Sequence, residues 1–177
     1  VRGRTCLSRL DLDSTGLGDV GARSIVGVLG HCPSLAQLSL GGNLFGASGV
    51  RRLSEALGQC EALEGFDLSG NSMGPQAFGR LASALGQCKG LRSLNLSRCG
   101  VGDRGAQNVA AVLRGCSGLE AIDLRGNLIG AEGVREMARV LPQCTALNQL
   151  QLSGNRVDAE SVLENRLHMH PTMHIEF

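Results

Sequence analysis

The sequence predicts an α/β solenoid, an open, right-handed arc in which short parallel strands line a concave face and helices cover the convex face. Three observations carry this prediction. Leucine recurs at Leu7, Leu35, Leu63, Leu91, Leu119 and Leu147, always 28 residues apart, and self-similarity at a fixed period marks a stacked-repeat architecture. Each of these leucines opens a stretch of strand-like alternation that gives way, past a glycine, to helical spacing. A single unit of this size also carries too few apolar side chains to offset the entropy of ordering its own backbone. Neighbouring units must therefore bury one another's faces.

Within each unit the strand comes first. Three residues after the leading leucine stand Leu10, Leu38, Phe66, Leu94, Ile122 and Leu150, and five after it stand Leu12, Leu40, Leu68, Leu96, Leu124 and Leu152. Eight after it, the turn holds Thr15, Asn43, Asn71, Cys99, Asn127 and Asn155. Asparagine there can bond otherwise orphaned backbone groups of the adjoining unit. Next come Leu17, Phe45, Met73, Val101, Ile129 and Val157, and, in all but the last unit, Gly18, Gly46, Gly74, Gly102 and Gly130. Glycine at this point suits a tight, positive-φ entry into the helix. The helix shows in Val50, Leu53 and Leu57, or in Ala106, Val109, Val112 and Leu113. Strands stack at ~4.8 Å whereas helix axes need ~8–10 Å, so the stack fans open by roughly 20–25° per unit.

The pattern L-x-x-L-x-L-x-x-N-x-h-G-x-x-G, followed by a helix ending in cysteine as in Leu141-Pro142-Gln143-Cys144, resembles the ribonuclease-inhibitor-like class of leucine-rich repeats. That class occurs in the sensor regions of NOD-like receptors, in ribonuclease inhibitor and in Ran GTPase-activating proteins. The resemblance implies a leucine-rich-repeat horseshoe that binds protein and leaves the partner open. The sequence departs from it at Thr15 and Cys99, which replace the turn asparagine, and in the last unit, where Asp158 replaces glycine and the helix turns polar at Asn165 and Arg166. The expected organisation is a lead-in over 1–6, six repeats over 7–172 with the last irregular, and a closing strand over 173–177, where Met173, Ile175 and Phe177 alternate. Solenoid ends normally need a polar cover, and six residues are too few to supply one. The N-terminal end is therefore expected to be covered by further chain or by another subunit.

Composition narrows the function. Of 177 residues, 42% are hydrophobic and 19% charged, and the net charge is +1, so no bulk field draws the chain to nucleic acid or anionic membrane. No Trp or Tyr is present and only four Phe, which leaves little for base stacking. The apolar runs Ile25 to Leu29 and Val109 to Leu113 fall far short of the ~18 residues of a membrane span.

Three patterns mimic chemistry. Gly16-Leu17-Gly18-Asp19-Val20-Gly21 and Gly100-Val101-Gly102-Asp103-Arg104-Gly105 match the dinucleotide-binding G-x-G-x-x-G pattern between strand and helix. Both fall on the same repeat positions, which identifies them as scaffold glycines, and no cofactor is expected. Cys32, Cys60, Cys88, Cys116 and Cys144 share one repeat position. Equivalent side chains in a parallel stack point the same way, a poor geometry for disulfides, so buried thiols and a reducing, intracellular compartment are expected. Cys6 and Cys99 are expected to be more exposed. His168, His170 and His174 cluster without a completing ligand, so no metal is expected, and no nucleophile, base and orienting acid occur in a recognisable set. The chain reads as a non-enzyme.

The remaining candidate is the concave face. Side chains between the strand leucines face it, and its central column reads Asp11, Ser39, Asp67, Asn95, Asp123 and Gln151. Acids two strands apart lie roughly 9.6 Å from each other, about one Debye length, so they form a weakly acidic stripe. Arg92, Arg98 and Arg125 interrupt it, flanked by Glu64 and Glu120. Asp67, Arg92, Asn95, Arg98, Glu120, Asp123 and Arg125 are the candidate protein-binding residues. Arg23, Arg51, Arg52, Arg80, Arg135 and Arg139 give the convex helices a basic tendency. The expected role is a structural, protein-binding segment of a larger assembly. A ligand-sensing receptor region and a regulator of a nuclease or GTPase are the alternatives.

Overall fold

The computed structural model describes residues 7–157 and 173–176. Seven strands, β1 (Arg9–Asp11), β2 (Gln37–Ser39), β3 (Gly65–Asp67), β4 (Ser93–Asn95), β5 (Ala121–Asp123), β6 (Gln149–Gln151) and β7 (His174–Glu176), form one parallel sheet in chain order. Between them run α1 (Gly18–Leu29), α2 (Ala47–Leu57), α3 (Gly74–Leu85), α4 (Asp103–Gly115) and α5 (Ala131–Ala138). Successive helices pack on one another as successive strands do. The fold is an α/β leucine-rich-repeat solenoid.

The register follows the repeat: Leu10, Leu38, Phe66, Leu94, Ile122 and Leu150 lie side by side across the sheet, and β6 sets Leu150 against Ile175 of β7. Three-residue strands are held this firmly because a slip of one residue would turn each buried leucine outward. The core is the layer between sheet and helices, where Leu35, Leu38, Leu40, Leu53 and Leu57 of one unit repeat as Leu91, Leu94, Leu96, Val109 and Leu113 of another, all buried. Helix α5 stops early and a 3₁₀ turn, Leu141–Gln143, follows. Pro142 explains this, since it has no N–H to return to Ala138 and its ring crowds the preceding turn.

Two side-chain ladders lock unit to unit. The turn asparagines form the first: Asn71 Nδ2 donates to the Leu40 and Leu68 carbonyls at 3.0 and 2.9 Å, while its Oδ1 accepts from the N–H groups of Asn43 and Phe45 at 3.1 and 3.0 Å. Asn127 does the same with Leu96, Leu124, Cys99 and Val101. The second ladder is not evident in the repeat pattern. Asp19, in the first turn of α1, accepts from the N–H groups of Gly46 and Gly49 at 2.8 and 2.9 Å, and Asp103 accepts from Gly130 and Gly133 at 2.7 and 2.9 Å. Each aspartate thus caps the helix of the next unit, satisfying donors that a helix start leaves open.

The glycine expectation holds at Gly18 and Gly74, with φ of 55 and 72°, and needs correction at the other three helix starts. Gly46, Gly102 and Gly130 have φ of −90, −81 and −111°, ordinary values for any residue. The left-handed positions shared along the stack come earlier, at Gly42, Gly70, Gly126 and Gly154, immediately before the turn asparagine. Gly49 and Gly133 are glycine for closeness instead: a Cβ there would lie 2.5 and 2.7 Å from the Oδ1 atoms of Asp19 and Asp103. Cys99 is likewise a correction, being 1% exposed. It occupies the inward turn position, which packing buries whatever residue stands there. Cys6, the lead-in, Asp158, Asn165, Arg166, His168 and His170 lie outside the described residues.

Candidate functional site

The concave face is built by the outward residues of the strands, and its central column is in register: Asp11, Ser39, Asp67, Asn95, Asp123, Gln151 and Glu176 are consecutive partners. Beside it runs a second column, Arg9, Gln37, Gly65, Ser93, Ala121, Gln149 and His174. It is smallest in the middle. A trough of about 350 Å³ runs along these columns from Arg9 to Gln151, with only small side chains at Ser93 and Ala121, while at Gly65 the Gln37 side chain lies over the backbone. The small residues are legible in the repeat alignment once the column is known to face outward.

The candidate residues fall into three tracks rather than one cluster. Before the strands, Arg92 pairs with Glu120 of the next unit. Within the strands, Asn95 Nδ2 donates to Asp67 Oδ2 at 2.6 Å, and Asp67 Oδ1 accepts from the Ser69 N–H at 2.8 Å. After the strands, Arg125 Nε and Nη2 reach the Asp123 carboxylate at 2.9 and 2.6 Å. Those bonds hold the Arg125 guanidinium even above its usual basicity. Arg98 is different. Its guanidinium has no hydrogen bond or ion pair among the described residues, and with Arg125 it lines a second groove, of about 540 Å³, along the Ser-Gly turns.

Asp13 is a rim residue that the repeat pattern does not single out. Its carboxylate accepts from the Gly41 N–H at 2.6 Å and the Ser39 hydroxyl at 3.0 Å. On the convex side, Arg51 pairs with Glu55 at 3.6 Å, Arg135 with Glu132 and Arg139 with Glu136. Exposed pairs of this kind contribute only about 0–1 kcal/mol each, as expected of a solvated face.

The two glycine motifs are accounted for by the aspartates inside them. Asp19 and Asp103 cap the helix of the following unit, not the helix that each motif opens, so these residues serve the joint between units. The five repeat cysteines are buried, as is Cys99. Their thiols point to backbone carbonyls, as when Cys116 Sγ lies 3.1 Å from the Leu85 carbonyl and Cys99 Sγ 3.2 Å from that of Leu68. Burial raises Cys60, Cys88 and Cys99 from 9.0 to about 11, and raises Cys116 and Cys144 as well. These are inert thiols rather than nucleophiles. His174 is exposed on β7, and no group of three metal-ligating side chains occurs among the described residues. None of the described helices is long and apolar enough to cross a membrane.

Comparison with known proteins agrees with this geometry. Residues 4–26, 87–110 and 115–138 match a family model described as Leucine Rich repeat. The chain carries leucine-rich repeats. No curated protein matches it in sequence. Among solved structures it is similar to the tropomodulin C-terminal domain of Caenorhabditis elegans, with a TM-score of 0.66 and 14% identity over 80% of this chain and 86% of that one. It is also similar to a leiomodin-1 segment described as Actin-Binding Site 2, with a TM-score of 0.58 and 19% identity over 72% of this chain and 75% of that one. At these identities the likeness is one of fold.

Proposed function

We propose that this chain is a non-catalytic protein-interaction module, a structural segment of a larger intracellular assembly, and that its contact surface is the concave face. One observation carries this: a registered polar surface, with small side chains at Ser93 and Ala121 in the middle of its trough, stands on a backbone whose own hydrogen bonds go to neighbouring units. Such a sheet presents side chains on rigid elements, the arrangement recognition requires. The concave curvature that solenoids use for extended binding surfaces supports the same reading. The solved leiomodin-1 segment of this fold is described as an actin-binding site, which makes actin a partner to test first. Buried neutral thiols suit a reducing compartment.

The test is co-sedimentation with filamentous actin, together with affinity capture and mass spectrometry, comparing the wild-type chain with Ser93→Tyr. Ser93 is exposed at the centre of the trough, so tyrosine fills the face without disturbing the core. Partners that are retained by the wild type and lost by Ser93→Tyr support the concave face. Partners retained equally by both, or stoichiometric inhibition of a ribonuclease or acceleration of a small GTPase, overturn the reading.

A further inference from the structure

Four of the six units place glycine at the left-handed position that follows the strand: Gly42, Gly70, Gly126 and Gly154, with φ of 63, 65, 62 and 72°. The first unit places Ser14 there, with φ 55°, and the fourth places Arg98, with φ 54°, the one long charged side chain at this position. A side chain in this conformation is disfavoured because its Cβ crowds the neighbouring carbonyl, a restriction glycine escapes. Strain of this kind persists only where the surrounding structure over-determines it, and it concentrates at binding sites.

The side chain uses the position in a specific way. Its Cγ lies 3.0 Å from where a Cβ on Gly126 would stand, so glycine in the fifth unit is what lets the arginine stem cross to the rim. Of the four arginines beside the strands, Arg9 pairs with Asp11, Arg92 with Glu120 and Arg125 with Asp123. Of these four, Arg98 alone has no hydrogen bond or ion pair to its guanidinium among the described residues. The nearest acids of the central column are already engaged, Asp67 by Asn95 and the Ser69 N–H and Asp123 by Arg125. The groove that Arg98 enters is lined by Ser69, Ser97 and Ser153 as well as Arg125, and its one acid, Asp13, lies three units away and is engaged by the Gly41 N–H and the Ser39 hydroxyl. An open fork of guanidinium donors with hydroxyls beside it matches a carboxylate and disfavours a cationic side chain.

We propose that Arg98 anchors a binding site for an acidic segment of a partner protein, seated in the groove at the ends of the strands. This rests on the concave-face reading, which it deepens by assigning the partner's charge and the residue that selects it. A carboxylate would complete the pairing that the other three arginines make within the chain. The strained backbone would then be retained for contact, not for stability.

The test uses fluorescence anisotropy with labelled deca-glutamate and deca-lysine peptides at low salt, on the wild-type chain, Arg98→Gly, the convex control Arg52→Ser and the trough variant Ser93→Tyr. Arg98→Gly is expected to weaken deca-glutamate binding about tenfold while raising the melting temperature by about 2–4 °C through relief of strain. Arg52→Ser, with the same change in net charge, should leave binding within about twofold of wild type. Equal weakening by Arg98→Gly and Arg52→Ser, or no weakening by Arg98→Gly, overturns the proposal, and so does a lowered melting temperature in Arg98→Gly. Binding of deca-lysine alone, lost in Ser93→Tyr, overturns the acidic-partner assignment and leaves the concave face standing. If none of the variants alters either peptide's binding, both readings fall.

Discussion

The fourth and fifth units lie side by side in the stack and differ where their chemistry should matter most. In the fifth, Gly126 takes the left-handed position, Asn127 fills the turn, and Asp103 caps the helix start. In the fourth, Arg98 sits in the left-handed position and Cys99 in the turn. No side chain caps Gly102 among the described residues, because the preceding unit carries Pro75 where the capping aspartate would stand. The strands nevertheless remain in register and the backbone ladder continues from Arg98 to Arg125 and from Leu96 to Asp123. The first unit departs at two of these positions as well, with Ser14 at φ 55° and Thr15 in the turn, so the register is set by the leucine columns and not by the turn residues. Such departures are expected where function competes with stability.

The sharpest way to break this comparison is to remove what the two units share. Leu96 and Leu124 are both fully buried, and Leu96→Ala and Leu124→Ala should each cost about 2–5 kcal/mol through a core cavity, measured by urea denaturation. Asn127→Ala should come next, at about 2–4 kcal/mol, because it strands two buried N–H groups and two carbonyls. Cys99→Ala should cost less than Asn127→Ala, since sulfur is a weak donor and weak acceptor; equal losses would show that the two turns are held alike.

Asp103→Ala should lower stability by about 0.5–2 kcal/mol by uncapping α5. Cys99→Asn should raise stability by about 0.5–1.5 kcal/mol, restoring the acceptor that Asn71 and Asn127 provide to the units before them.

The buried thiols add a pH dependence. Folding raises the Cys60, Cys88 and Cys99 thiols from 9.0 to about 11, so the folded state resists their ionisation. Their stabilising contribution is intact below pH 9 and is lost as pH rises from 9 towards 11. Urea midpoints at pH 8, 9 and 10 should therefore fall, and less steeply in Cys99→Asn than in wild type.

Much of the fold was legible in residues that repeat. A leucine every 28 positions admits one register, and the outward column from Asp11 to Gln151 follows from alternation alone, as the strand pairing bears out. The buried cysteine column was legible for the same reason. Cys99 was misjudged because its chemistry departs from asparagine, whereas burial at the turn depends on position. The glycines at 46, 102 and 130 were misjudged because glycine can mean either an unusual φ or a close neighbour, and sequence does not distinguish the two.

By itself the sequence determined the period, the inward and outward faces and the class of fold, because these depend on side-chain hydrophobicity at spacings set by backbone geometry. Only the tertiary structure decided the bonds between units: Asp19 and Asp103 capping the helices that follow them, Asp67 held by Asn95, Asp123 held by Arg125, and Arg98 left open. Which donor meets which acceptor depends on ångström distances across the stack, and no linear spacing records those.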